Sequence, residues 1–280
     1  MPTVSVIIPC YNSGLTILRS IQSIQTQTFK DIEIIVVNDG SDDAVTLKIL
    51  KNVSKNIKIL NQKNKGLSSA RNYGIREANS KYILPLDSDD YFSPTFIEKA
   101  IKKIENEEKT YCIFTNINMF GEIEGILDRN YNFFIQLFNN QLPYAIFFEK
   151  KIWSEIGGYD ETMKLGYEDW EFNIRLGKNG FHPSKISEAL FYYNVSSKGM
   201  LQSQSDNNYI NILRYIRIKH NDIYTISRLY KIWKDWKGAP KPFPIIFYMM
   251  MYLATKYSPG NSYNYIYRKL KFLRQSERLS

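Results

Sequence analysis

Residues 82–92 read YILPLDSDDYF, an apolar run that stops at three carboxylates, Asp87, Asp89 and Asp90. In an extended chain successive side chains alternate faces, so Asp87 and Asp89 point the same way and Asp90 points elsewhere. Two like charges a few ångströms apart repel unless positive charge lies between them. A divalent cation held by Asp87 and Asp89 is one answer. The other is helix entry, with Asp89 and Asp90 ahead of Ser93, which accounts for only part of the cluster.

On either side of this run, short β-branched segments alternate with amphipathic ones: VSVIIP, LTILRSIQSIQ, IEIIVV, AVTLKILKNV, IKIL, LSSARNYGIREA and YILPL. That alternation predicts βαβ units around a mainly parallel sheet. The polar clusters CYNSG, NDGSDD, NQKNKG and DSDD then fall at strand C-termini, where open α/β sheets bind ligands. Downstream, Ser93-Pro94 reads as the N-cap and first turn of helix FIEKAIKKIENEE. YCIFTNI, AIFFEK and LFYYN read as strands. NYNFFIQLF, KKIWSEI closed by Gly157-Gly158, and EDWEFNIRLGK read as helices, as does most of the chain beyond Ser205.

Composition bounds the rest. With 280 residues, 44% of them hydrophobic, the chain can bury one large α/β core or a core plus an appendage. Two cysteines, Cys10 and Cys112, are too few for a disulfide framework, which favours a reducing compartment. No basic, apolar leader precedes VSVIIP, so the cytoplasm is expected. The longest charge-free apolar stretch, residues 242–255, has 14 residues against the about 20 that a spanning helix needs. Charge is uneven: residues 201–280 hold 14 Lys and Arg against 4 Asp and Glu, whereas the first 200 are close to neutral. Such a basic tail suits an anionic surface, a lipid headgroup layer before nucleic acid because no nucleic-acid motif is present. A solvated set of helices, or helices that pack on the catalytic body or pair two subunits into a homodimer, are the plainer readings.

Several chemistries drop out. There is no GxGxxG after the first strand, no GxxxxGK[ST] and no GxSxG, and only His182 and His220 are available to a Ser-His or Cys-His system. What remains at the strand ends suits a nucleotide joined to a diphosphate. Tyr11 can stack on a base, and Asp39 can accept an imide N–H of uracil or thymine; equally, NDGSDD is a turn in which Ser41 or Asp42 caps the next helix. Arg71 is a surface salt bridge or a fork of donors for a phosphate.

VSVIIPCYNSG, VVNDGSDD, NKGLSSARNYGI, LPLDSDDYF, GGYDE and YEDWEFNIRLG occur in this order, and together they resemble the family 2 inverting glycosyltransferases with the GT-A fold. The resemblance covers about residues 3–200. It implies a Rossmann-like, mainly parallel sheet flanked by helices, with residues 1–204 as the catalytic domain and 205–280 as a helical extension. Within the domain, residues to about 116 would bind the nucleotide sugar and 117–204 would serve the acceptor and base. It implies transfer of one sugar from a nucleotide-diphosphate donor, UDP before dTDP or GDP, to a saccharide or lipid-linked saccharide.

Carried over by position, Pro9, Tyr11 and Asp39 would shape the base pocket and Arg71 would hold the nucleotide. Asp87-Ser88-Asp89 would be the metal-binding DxD, with Asp89 the direct ligand and Asp87 nearer ribose or a metal-bound water. Oxygen ligands suit Mg2+ or Mn2+. Asp169 would be the base that takes the acceptor proton, with Glu168 as runner-up; Asp90, Gly158, Tyr159, Asp160 and Trp170 would lie on the acceptor side. Helix-start acids are otherwise caps, and a tryptophan there is otherwise core. One departure stands out: where many relatives carry YRxH, this chain has YNVSSKGM, with Asn194 and Ser196 in place and Lys198 as an alternative diphosphate contact. QxxRW is absent, so one sugar per encounter is expected. Two other classes compete: a sugar-nucleotide-binding protein without transfer, which leaves the DxD and Asp169 together unexplained, and a nucleotidyltransferase, whose glycine-rich activation loop CYNSG does not provide.

Overall fold

The structure, a computed structural model, describes residues 1–53, 55–197 and 206–257. Lys198 and the helix expected over YNYIYRKLKFLR lie outside these residues.

Four strands, β1 (Val4–Cys10), β2 (Ile32–Asp39), β3 (Ile57–Gln62) and β4 (Tyr82–Pro85), pair in parallel in the order β3-β2-β1-β4. Helices α1 (Ile17–Gln25), α2 (Ala44–Asn52) and α3 (Leu67–Glu77) form the crossovers. The strands read as unbroken apolar runs because both faces are covered. Ile7, Ile35 and Val37 point to the α3 side with Ala70 and Ile75. Val6, Ile8 and Val36 point to the other side with Ile17, Ile21 and Ile24 of α1. On that side they meet α4 (Phe96–Asn106), which contributes Phe96, Ile97, Ala100, Ile101 and Ile104.

Beyond β4 the directions mix. The remaining elements are β5 (Tyr91–Phe92), β6 (Cys112–Gly121), β7 (Gly125–Leu127), α5 (Phe133–Gln136), β8 (Phe147–Glu149), α6 (Lys150–Ile156), α7 (Glu168–Lys178) and β9 (Ser184–Val195). The sheet continues β4-β8-β6-β9-β5, with β7 hydrogen-bonded to β6. β8 is antiparallel to both neighbours, and β6 and β9 are parallel. The sheet is therefore parallel through β3-β2-β1-β4 and mixed after it. The reversal at β8 positions the site: residues just before β8, Tyr144 among them, arrive at the C-terminal end of β4. β9 ends at the same edge, with Asn194 beside Asp90.

Three local expectations are corrected. The N-cap of α2 is Asp43, whose carboxylate accepts from Thr46 N–H at 2.8 Å, because Ser41 and Asp42 are tied to Asn12 instead. α4 begins after Thr95 without a side-chain cap; Ser93 and Pro94 are held by the residues that follow α1, since their carbonyls accept from Gln27 Nε2 and Thr28 N–H. NYNFFIQLF contains only the single turn of α5, capped by Asn132.

The tail forms α8 (Asp206–Lys219), α9 (Ile226–Asp235) and α10 (Ile245–Tyr257). Through residue 257 it packs on the catalytic body: Tyr209, Leu213, Ile216, Leu229, Tyr248 and Tyr252 share one core with Phe134, Leu137 and Trp170. Among the described residues no helix is long and apolar enough to cross a membrane.

Candidate active site

Strand β4 stops at Pro85, and Leu86–Asp90 form a turn in which Asp90 N–H donates to the Asp87 carbonyl at 3.2 Å. Asp87 and Asp89 are thus brought together around a turn, not by alternation in an extended strand. Burial, followed by the Asp87 charge, raises the Asp89 carboxyl; a hydrogen bond from Asn194 and the charge of Arg19 oppose the rise. The Asn194 amide reaches Asp89 Oδ2 at 3.3 Å, and the Arg19 guanidinium donates to the Asp89 carbonyl at 2.7 Å. Ser88, between them, is buried.

Asp90 does not face an acceptor. It is fully buried, accepting from Asn194 N–H at 2.7 Å and from the Tyr144 hydroxyl at 2.5 Å. Tyr144 in turn accepts from Asp87 N–H at 2.9 Å. Burial and the neighbouring carboxylates Asp89 and Asp87 push Asp90 well above the usual carboxylate range, against the hydrogen bonds from Asn194 and Tyr144.

Arg71 projects from α3 into the space behind this turn and is 1% exposed. One terminal nitrogen donates to Asp87 Oδ1 at 2.7 Å and the other to Glu168 Oε1 at 2.5 Å. Its guanidinium lies over the rings of Tyr144 and Tyr159, 4.9 and 5.5 Å from their centroids. Each terminal nitrogen of Arg71 donates to a carboxylate while its Nε–H has no protein partner among the described residues, so in this structure the guanidinium is a buried bridge between Asp87 and Glu168 and not a surface salt bridge. The same guanidinium holds Glu168, which is buried with its Oε1 engaged by Arg71.

Asp169 differs. It sits in the first turn of α7, next to Tyr167, whose φ of 59° is a left-handed conformation unusual for a tyrosine. Asn140 Nδ2 donates to Asp169 Oδ2 at 2.8 Å, and the Trp170 backbone N–H also favours the charged carboxylate. Burial, then the adjacent Glu168 charge, raise the carboxyl to about 7, against the opposing pull of Arg71 and Asn140. A half-buried carboxyl raised to about 7 has the properties of a general base.

The rest of the expected acceptor side is structural. Trp170 is fully buried, donates to the Gln136 carbonyl at 2.6 Å and stacks on Tyr209, so it offers no ring to a sugar. Tyr159 is buried against Phe172 beneath Arg71. Gly158, at φ 71°, lies where a Cβ would stand 2.9 Å from Asn72 Oδ1 and 3.0 Å from Trp153 Nε1, which fixes it as a packing glycine. Asp160 is engaged by Lys219 at 2.6 Å and Tyr215 at 2.7 Å from α8. The GGYDE loop is thus a strap between α3 and the tail.

On the nucleotide side, Pro9 is buried in β1, paired with Val37 of β2, and the Tyr11 ring is 48% exposed just past β1. Asp39 closes β2. Its Oδ1 accepts from Gln62 Nε2 and Lys65 N–H, and its Oδ2 accepts from Gly66 N–H at 2.8 Å, leaving Oδ2 able to take one more donor. Gly40 follows at φ 74°, where a Cβ would stand 2.6 Å from Asn64 N. The loops after β1 and β2 are joined by Asn12, whose side chain bonds both Asp42 and Asp43.

Asn140, Tyr144, Arg19 and Asn72 were not singled out from the sequence as site-forming residues. Only the polar cluster Gln136, Asn139, Asn140, Gln141 at the end of the apolar run NFFIQLF hinted at any of them.

The two carboxylates at the turn fit a divalent cation: side-chain hydrogen bonds engage Oδ1 of Asp87 and Oδ2 of Asp89, and among the described residues no other side chain donates to the second oxygen of either. Among the described residues no group of three or more His, Cys, Asp or Glu could hold a metal.

A family model described as Glycosyl transferase family 2 matches residues 5–155. The glycosyltransferase GlyA of Streptococcus pneumoniae is 32% identical over 208 residues, covering 69% of this chain and 30% of that protein. A glycosyltransferase of Bacillus subtilis, YwdF, is 30% identical over 210 residues, covering 71% of this chain and 77% of that protein. The chain spans about a third of the length of GlyA and of the chondroitin synthase of Escherichia coli, which is 29% identical over 222 residues. Among solved structures, S. aureus TarS 1–349 in complex with UDP-GlcNAc superposes with a TM-score of 0.63 at 22% identity, covering 78% of this chain and 66% of that one. The likeness establishes the GT-A fold.

Proposed function

The chain belongs to glycosyl transferase family 2, and on that premise we propose that it is an inverting, metal-dependent glycosyltransferase moving one sugar from a UDP-sugar to a saccharide or lipid-linked saccharide hydroxyl in surface glycan synthesis. The observation that carries this reading is the Arg71 bridge, which holds Asp87 of the donor turn and the Glu168-Asp169 helix start in one buried unit. Asp169 takes the acceptor proton as the hydroxyl attacks the sugar carbon from the face opposite the leaving diphosphate. Asp89 and Asp87 would hold Mg2+ or Mn2+, which when bound neutralises charge on the diphosphate. Asp39 and Tyr11 receive the base. A UDP donor is supported by the imide-accepting geometry open at Asp39 and by the UDP and UDP-GlcNAc bound in TarS. Polysaccharide synthesis is supported by the chondroitin and hyaluronan synthases among the relatives. The basic C-terminal helices, by their charge, favour an anionic membrane surface on the cytoplasmic side as the place of action.

Calorimetric titration of UDP, dTDP and GDP and their common sugars, each with and without Mn2+, tests the donor site. Metal-dependent binding of a UDP compound, lost in Asp89→Ala, supports the reading; absence of nucleotide binding under every condition overturns it.

A further inference from the structure

Helix α10 is apolar on two opposite sides. Tyr248, Tyr252 and Thr255 face the core. Ile246, Met250, Leu253 and Tyr257 follow at i, i+4, i+7 and i+11, within about 60° of one another on the helical wheel. All four are exposed, Ile246 by 65% and Tyr257 by 72%. A helix apolar all round is expected to be buried on all sides. This one is half-buried, and at 13 residues it is about 20 Å long, too short to cross a bilayer.

The chain on either side of this stripe is rich in basic residues. Lys256 lies at its edge, Lys237 and Lys241 precede the helix, and Arg228, Lys231 and Lys234 lie on the exposed side of α9, where Ile226 and Tyr230 are also exposed. Residues 201–280 as a whole carry ten more cationic than anionic side chains. An apolar stripe bordered by lysines and tyrosines is the composition of a helix lying in the headgroup boundary of an anionic bilayer. A water-facing partner protein would not need the whole segment to be cationic. From this complementarity we infer that Ile246, Met250, Leu253 and Tyr257 form the face that inserts into an anionic lipid surface, with α10 parallel to the membrane plane. The inference rests on the membrane reading above and names the face that carries it.

Co-sedimentation of the full chain with vesicles of phosphatidylcholine alone, or of equimolar phosphatidylglycerol and phosphatidylcholine, tests it against the double variant Met250→Glu/Leu253→Glu. The wild type is expected to pellet with the anionic vesicles only and to release as salt rises. The double variant is expected to bind about tenfold or more weakly while keeping the wild-type melting temperature and UDP affinity. Ile246→Glu/Tyr257→Glu repeats the test from the two ends of the stripe. If the variants bind anionic vesicles as the wild type does, the face is overturned while the membrane reading stands. If the wild type binds neither vesicle, the membrane reading falls with it. If light scattering shows a wild-type dimer that the double variant abolishes, the stripe is a contact between two copies and the inference is wrong.

Discussion

Arg71 and Glu168, 97 positions apart, meet through a 2.5 Å hydrogen bond inside the protein, and the other arm of the same guanidinium holds Asp87 at 2.7 Å. One cation therefore ties the turn after β4 to the first turn of α7. Removing one partner of a buried ion pair strands the other, at a cost of about 3–5 kcal/mol. Arg71→Met is expected to lose that much stability. Arg71→Lys is expected to keep much of the fold but lose transfer, because an ammonium cannot serve two carboxylates with fixed parallel donors. Denaturant melts and donor titrations of both variants check this; an Arg71→Lys enzyme with wild-type turnover would show that the bridge does not set the site.

Asp169→Asn is expected to lower turnover by about 10²- to 10⁴-fold, the usual contribution of a general base, while leaving UDP affinity unchanged. In the wild type kcat/KM should climb tenfold per pH unit and level off near 7, where the Asp169 carboxyl loses its proton. The negative charge of Glu168 is part of what raises Asp169. Glu168→Gln should therefore move the break in the profile to lower pH, read by transfer rates across pH 4–9. A profile flat across that range would remove Asp169 from the role.

The same carboxyl makes a stability prediction of opposite sense to its catalytic one. Its folded value of about 7 lies above the ordinary aspartate value of 3.8, so the folded state holds a proton that the unfolded chain has released. Stability from this group is full below about 3.8 and is lost as pH rises through about 7. Asp169→Asn is permanently neutral and escapes the loss. It should melt higher than the wild type at pH 8, up to about 4 kcal/mol more stable, and equal to it near pH 3.5. Thermal melts of the two proteins at both pH values decide the matter.

How much of this was legible in the sequence follows from how local each signal is. The loops after β1, β2 and β4 fall where the polar clusters interrupt unbroken apolar runs, and Asp87, Asp89 and Asp169 stand at element ends that propensity alone can locate. Arg71 was visible as a residue but not as a bridge, because its partners come from β4 and α7, and no spacing encodes a contact across 97 positions. Tyr144 and Asn140 belong to a stretch that reads as a plain approach to a strand; only the reversal of β8 brings them to the site. Trp170 was misplaced for the same reason. Its neighbour Asp169 faces the site, yet one residue along a helix turns the side chain by about 100°, here into the core against Tyr209.

The attachment of the tail supplies the last prediction. Glu171 is fully buried, and it receives Arg175 through two hydrogen bonds of 2.8 and 2.7 Å, Lys219 at 2.9 Å and His220 at 2.9 Å. Burial alone would raise this carboxyl, but the hydrogen bonds from His220 and Arg175 outweigh it and lower it to about 2. A lowered acid stabilises the fold above its unfolded value of about 4.5, and that stability fades as pH falls toward 2. Two of the donors belong to the α8 end, so the effect reports tail docking. Glu171→Gln should cost about 3–5 kcal/mol at neutral pH, leaving Arg175 and Lys219 without their shared anion, and much less at pH 3. It should also make the bond after Lys219 the early site of limited tryptic cleavage. Equal stability of variant and wild type at neutral pH would mean that the apolar contacts of Leu213, Ile216 and Leu229 hold the tail without help from this cluster.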